Sequence, residues 1–116
     1  MSKDYGLRIV KPLPQAIPFL INALLEKRTV KDVEVLEEQV LRIKRNDGLR
    51  DIIIYAVDAY VLGAGAALEI IEEHPSIDAI VVISSWNEYT KEAKELARNR
   101  GVKLYTFGQL MGAVYH

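Results

Sequence analysis

Two short runs constrain this chain more than any other feature. Asp51 to Ala59 (DIIIYAVDA) and Asp78 to Ser84 (DAIVVIS) are almost unbroken apolar segments. A strand with one wet face alternates polar and apolar side chains, so a continuous apolar run predicts a strand covered on both faces. Between the two runs, Leu62 to Glu73 reads as a helix stopped by Pro75, with Gly63, Ala64, Gly65, Ala66 and Ala67 small enough to approach a sheet closely. Asn87 to Arg100 is amphipathic, with Tyr89, Ala93, Leu96 and Ala97 facing inward, and Gly101 closes it. Val102 to Tyr105 predicts a short strand, and Phe107 to Val114 a last helical turn or two. Strand–helix alternation with right-handed crossovers requires a parallel three-stranded core with helices on its faces.

The amino-terminal half is less regular. Tyr5 to Lys11 predicts a first strand, ended by Pro12 and Pro14. A helix from Gln15 to Arg28 follows, with Pro18 in its first turn, where a missing N–H costs little. Phe19, Leu20, Ala23 and Leu24 form its apolar face, and Ile17, Ile21 and Leu25 widen it. A helix apolar most of the way round is sandwiched in the fold or forms a subunit contact, so a homodimer is expected. Thr29 to Arg45 admits two readings. Val30, Val33, Leu36, Val40 and Ile43 fit a helical stripe, whereas Val33–Val35 and Leu41–Lys44 fit two alternating strands. Five β-branched residues among the seven apolar ones favour strands, with Asn46-Asp47-Gly48 as the turn into the next strand and Gly48 left-handed.

Composition sets the limits. The 116 residues suit one domain, 1–116, and a chain this size buries roughly 65% of its unfolded surface. No cysteine is present, which excludes disulfides, thiolate metal sites and thiol nucleophiles. The longest apolar stretch, Ala16 to Leu25, is about half of a bilayer span, and the first residues lack a signal-peptide pattern; no membrane association and a cytoplasmic location are expected. Few Asn, Gln, Cys and Met beside many Ile, Val, Glu and Lys lean towards a thermostable protein. The net charge of −1 excludes binding by bulk positive charge, yet it hides a polarised chain. Residues 1–28 carry +3, 29–60 carry −2, 61–86 carry −4 and 87–116 carry +2.

No complete catalytic motif is present, so the sequence leans away from an enzyme. Gly63-Ala64-Gly65 lacks the third glycine of a dinucleotide turn and stands three residues too far from the strand, which favours a packing role. Ser84, Ser85, Trp86 and Asn87 lie at the carboxyl end of a predicted parallel strand, the usual ligand position in open α/β sheets, and are the binding candidates. One of them is also expected to cap the following helix. His74 and His116 are remote from each other and predict no metal site. Asp51, Asp58 and Glu38 are the carboxylates that a Mg²⁺-dependent nuclease would use; otherwise no cofactor is expected. Asp58 needs a partner, a cation or a place near a strand end.

The stretch from Asp78, DAIVVISSWNEYTKEAKELARNRGVKLYTFGQLMGAV, resembles the carboxyl-terminal half of Mrr-type proteins of the restriction-endonuclease-like PD-(D/E)XK superfamily. The shared features are a strand ending in small polar residues and a helix with Thr90, Ala93 and Ala97. Gly101-Val102-Lys103-Leu104 and a short final helix follow. The resemblance covers about residues 29–116 and implies a hairpin leading into strand, helix, strand and helix. It also implies an E-x-K on the central strand, but Ala56 stands at the Glu position and Asp58 at the Lys position. The expectation is therefore α/β: a central mixed sheet flanked by helices, restriction-endonuclease-like and catalytically degenerate, acting as a binding or assembly module. The alternatives are an active Mg²⁺-dependent DNA nuclease, or a flavodoxin-like or Rossmann-like three-layer α/β nucleotide binder, which needs residues 29–45 to be helical. Nucleic acid is the partner to test, by asking whether Lys27, Arg28, Lys44, Arg45 and Arg50 gather on one face.

Overall fold

A computed structural model describes residue 12 and residues 15–59, 61–83 and 88–116. The first predicted strand, Tyr5 to Lys11, lies outside the described residues, as do Ser84 to Asn87. The elements are α1 (Ala16–Leu25), β1 (Val30–Glu37), β2 (Val40–Arg45), β3 (Ile52–Val57), β4 (Val61–Leu62), α2 (Ala64–Glu73), β5 (Ala79–Val82), β6 (Glu88–Tyr89), α3 (Lys91–Asn99), β7 (Lys103–Thr106) and α4 (Phe107–Ala113).

Five strands form one mixed sheet in the order β1-β2-β3-β5-β7. β1, β2 and β3 are antiparallel neighbours, and β3, β5 and β7 are parallel. The segment 29–45 is therefore a hairpin, and the flavodoxin-like reading, which required a helix there, is set aside. Long-range pairing decides between the two periodicities: Leu41 and Ile43 are fully buried against α1 and α4, which a helical stripe would not have aligned. Asp47 and Gly48 both take positive φ, 61° and 78°, and Leu49 N–H closes the turn on the Asn46 carbonyl at 3.1 Å. Two successive left-handed residues make the tight turn that suits the twist of the flanking strands.

The parallel strands are buried on both faces because their side chains alternate between two layers of helix. Tyr55, Val57, Ile80, Val82 and Leu104 pack with α2 and α3. Ile54, Ala56, Ala79 and Val81 pack with α1 and α4. Local boundaries differ from the sequence reading in three places. The first helix stops at Leu25, where Lys27 N–H bonds Leu24 O and Val30 N–H bonds Lys27 O to turn the chain into β1. Of its apolar face only Leu20 and Leu24 are buried, whereas Phe19 is 65% and Leu25 45% exposed. The helix predicted from Asn87 begins at Lys91, and its cap, expected among Ser84 to Asn87, is Thr90, whose hydroxyl accepts Ala93 N–H at 3.0 Å. The reason is the short parallel pair β4–β6, which occupies 61–62 and 88–89 and delays the starts of α2 and α3.

Candidate functional site

The carboxylates singled out in the sequence do not converge. Asp51 is exposed just before β3, and Asp58 is half-buried just after it. The strand between them sets their Cα atoms about 23 Å apart at the usual rise per residue. Glu38 lies in the β1–β2 turn, beside Gln39, whose carbonyl accepts Ala56 N–H at 2.8 Å, so Glu38 shares the Asp58 end of the sheet. Among the described residues no group of three or more His, Asp or Glu side chains is placed to hold a metal ion. Ala56, at the Glu position of the E-x-K, is fully buried against the α1 and α4 layer. Gly63 is the N-cap of α2 in an extended conformation, and β4 separates it from β3 as the spacing implied. The proposed binding residues Ser84, Ser85, Trp86 and Asn87 lie outside the described residues.

Two ends of the sheet carry opposite charge. At the hairpin end, His74 follows α2, its ring 4.9 Å from that of Tyr55 and its Nδ1 3.9 Å from Glu37 Oε1. Burial raises the Tyr55 phenol above its ordinary value, and the nearby carboxylates of Glu73, Glu37, Glu69 and Glu38 push it the same way. Sequence reading placed His74 only at a helix end, because its contact with Tyr55 and Glu37 depends on how α2 lies across the hairpin.

The other end is basic. Arg45 donates its Nε to Arg50 O at 2.8 Å and its Nη1 to Val114 O at 3.0 Å, and Arg50 Nη2 lies 3.6 Å from Asp78 Oδ1. Asp78 is held by Ile53 N–H at 2.8 Å. Arg28 stands 6.0 Å from the centroid of the Tyr115 ring, and Asn46 Nδ2 bonds Arg28 O at 3.1 Å. Arg28, Arg45 and Arg50 thus collect around the end of α4. Lys44 does not join them: it projects from the opposite face of β2, with Nζ 3.7 Å from Glu34 Oε1.

Two depressions of about 350 Å³ each lie here and share Lys103 and Tyr105. One contains Arg45, Arg50, Asp78 and His116; the other lies between α3 and α4, with Lys94, Arg98 and Gln109. Five cationic side chains therefore line the pair, with Asp78 as the acidic side chain among the lining residues. Lys94, Arg98 and Lys103 were missing from the residues proposed on sequence, although the +2 of residues 87–116 carried their signal. Tyr105 stands in both depressions, its phenol raised above the usual value by burial and drawn back by Arg45. The arrangement offers positive charge beside the Tyr105 ring. Comparison with protein-family models, curated proteins and solved structures returns no match.

Proposed function

We propose that this chain is a restriction-endonuclease-like domain that binds nucleic acid without cutting it, through the basic face from Arg45 and Arg50 across Lys103 to Lys94 and Arg98. One observation carries the reading: five cationic side chains line two adjoining depressions beside one acidic side chain. Phosphate backbones are held by such clusters through charge and counterion release, and neighbouring tyrosines add contact with sugars and bases. The order hairpin, strand, helix, strand and helix from Val30 onward, which the resemblance implies, supports the reading. The methyl group of Ala56 and the separation of Asp51 from Asp58 support binding without cleavage.

An electrophoretic shift assay over a range of salt tests the reading. A complex that weakens steeply with salt is expected, and Lys94→Gln, Arg98→Gln and Lys103→Gln together flatten the slope by about 2–3 units. Absence of any salt-sensitive complex removes the reading. Incubation with Mg²⁺ or Mn²⁺ is expected to leave DNA intact, and cleavage that is lost in Asp58→Ala overturns the non-cutting half. A second reading, self-association through α1, is favoured by the exposure of Phe19 and Leu25 beside the Phe19–Phe107 stack at 5.7 Å. Sedimentation equilibrium of the native chain and of Phe19→Ser tests it, a monomer in both removing it.

A further inference from the structure

The two basic depressions hold their cations differently. In the one that contains Arg45, the charged lining comes from separate parts of the chain: Arg45 ends β2, Arg50 precedes β3, Asp78 precedes β5 and Lys103 begins β7. Arg45 is anchored by two backbone carbonyls, Arg50 O at 2.8 Å and Val114 O at 3.0 Å. Both partners are neutral oxygens, so these bonds fix the guanidinium without neutralising its charge. Asp78 is engaged on both oxygens: Oδ2 accepts Ile53 N–H at 2.8 Å, and Oδ1 lies 3.6 Å from Arg50 Nη2. Ile52, Ala79, Ala113 and Tyr105 add an apolar wall. Burial raises the Tyr105 phenol and Arg45 draws it back, so the two groups stand within electrostatic reach of each other. In the adjoining depression Lys94 and Arg98 are exposed along α3, and Lys94 Nζ lies over the Tyr89 ring, 5.6 Å from its centroid.

We propose that the Arg45 depression is a phosphomonoester site that seats the terminal phosphate of a nucleic-acid strand. The proposal rests on the nucleic-acid reading and names the part of the strand that is held. A terminal phosphate carries about −1.5 to −2 charge at neutral pH and three strong acceptor oxygens, whereas a phosphate inside the strand has less charge and one such oxygen fewer. Arg45, Arg50 and Lys103 offer three cationic groups to those oxygens. An arginine already held in one orientation suits this ligand, because its planar fork meets two oxygens at once and little freedom is lost on binding. The apolar wall gives the last sugar a surface to lie against, and a volume of about 350 Å³ suits one terminal unit. The rest of the strand leaves past Lys103, which both depressions share, towards Lys94 and Arg98.

Fluorescence anisotropy on the full chain, at one ionic strength, compares a labelled single-stranded oligonucleotide with hydroxyl ends and the same strand phosphorylated at its 5′ or its 3′ end. One phosphorylated form is expected to bind at least about ten-fold more tightly than the hydroxyl form. Arg50→Gln with Lys103→Gln, both at exposed side chains, is expected to bring that ratio below about three. Lys94→Gln, in the other depression, weakens both forms alike and keeps the ratio. Arg45 itself is spared, because it also ties α4 to the hairpin. A ratio near one with both forms bound overturns the phosphomonoester site and leaves the basic-face reading standing. A ratio that survives Arg50→Gln with Lys103→Gln overturns the site too, by placing the phosphate elsewhere. Calorimetry with a nucleoside monophosphate and its parent nucleoside separates the strand end from a free nucleotide. Monophosphate binding where no oligonucleotide binds overturns the strand end together with the nucleic-acid reading, and assigns the depression to a free nucleotide. Failure of all these ligands to bind overturns both proposals.

Discussion

The Val114 carbonyl ties the last helix to the first hairpin, and its two donors make a sharp test of that junction. Thr29 Oγ1 donates to it at 2.8 Å and Arg45 Nη1 at 3.0 Å, across 85 and 69 residues of chain. Thr29 is only 5% exposed and Val114 is fully buried. Thr29→Val keeps the side-chain shape and removes one neutral donor, at a cost of about 1 kcal/mol. Arg45→Met keeps the apolar stem and removes a charge-assisted bond in a partly wet position, at about 1–2 kcal/mol. Either single change leaves the carbonyl one partner. The double change leaves it none and adds the desolvation cost of a buried acceptor, about 1–3 kcal/mol. Urea denaturation of the four proteins is therefore expected to give a double-variant loss that exceeds the sum of the singles by about 1 kcal/mol or more. In thermal melts each kcal/mol corresponds to about 3–6 °C for a chain of this length. Additivity within about 0.3 kcal/mol, or an unchanged stability in Thr29→Val, refutes the shared-acceptor account.

Other substitutions test separate elements. Leu41→Ala, in the fully buried layer under α1 and α4, costs about 3–4 kcal/mol, whereas Leu36→Ala on the exposed bulge of β1 costs under about 0.5 kcal/mol, both read by urea denaturation. Gly48→Ala is destabilising by about 1 kcal/mol from backbone strain alone, because φ is 78° and a Cβ there meets nothing within 4 Å. Thr90→Ala removes the cap of α3 and lowers stability by about 1 kcal/mol. Tyr55 makes stability fall at alkaline pH: its folded phenol is held protonated by burial and by Glu73, Glu37, Glu69 and Glu38. The unfolded chain therefore releases that proton first. The contribution is fully present below about pH 10, the ordinary tyrosine value, and is lost as pH rises through the folded value. Tyr55→Phe is expected to flatten that alkaline decline in denaturation midpoints, and an unchanged decline excludes Tyr55 as its source.

The sequence by itself determined the features that depend on neighbouring residues. The apolar runs around Ile54 and Val81 gave doubly covered strands, and the small residues of 63–67 gave a helix close to the sheet. Asp47-Gly48 gave a turn with two positive φ angles. The choice between helix and hairpin for 29–45 was not local: Val33 and Ile43 satisfy both periods, and pairing of Leu41 with Ile54 across the β2–β3 ladder settled it. The starts of α2 and α3 were misplaced for the same reason, since the β4–β6 pair joins residues far apart in the chain.

The candidate site was legible only as a charge imbalance. Segment charges placed positive residues near both ends of the chain, but neither spacing nor motif linked Arg45 and Arg50 to Lys94, Arg98 and Lys103. Sheet topology joined them, because β2 ends and β7 begins at the same end of the sheet, where Arg45 and Lys103 line one depression. Local chemistry fixed most elements of this protein, whereas long-range pairing decided between hairpin and helix and which charges meet.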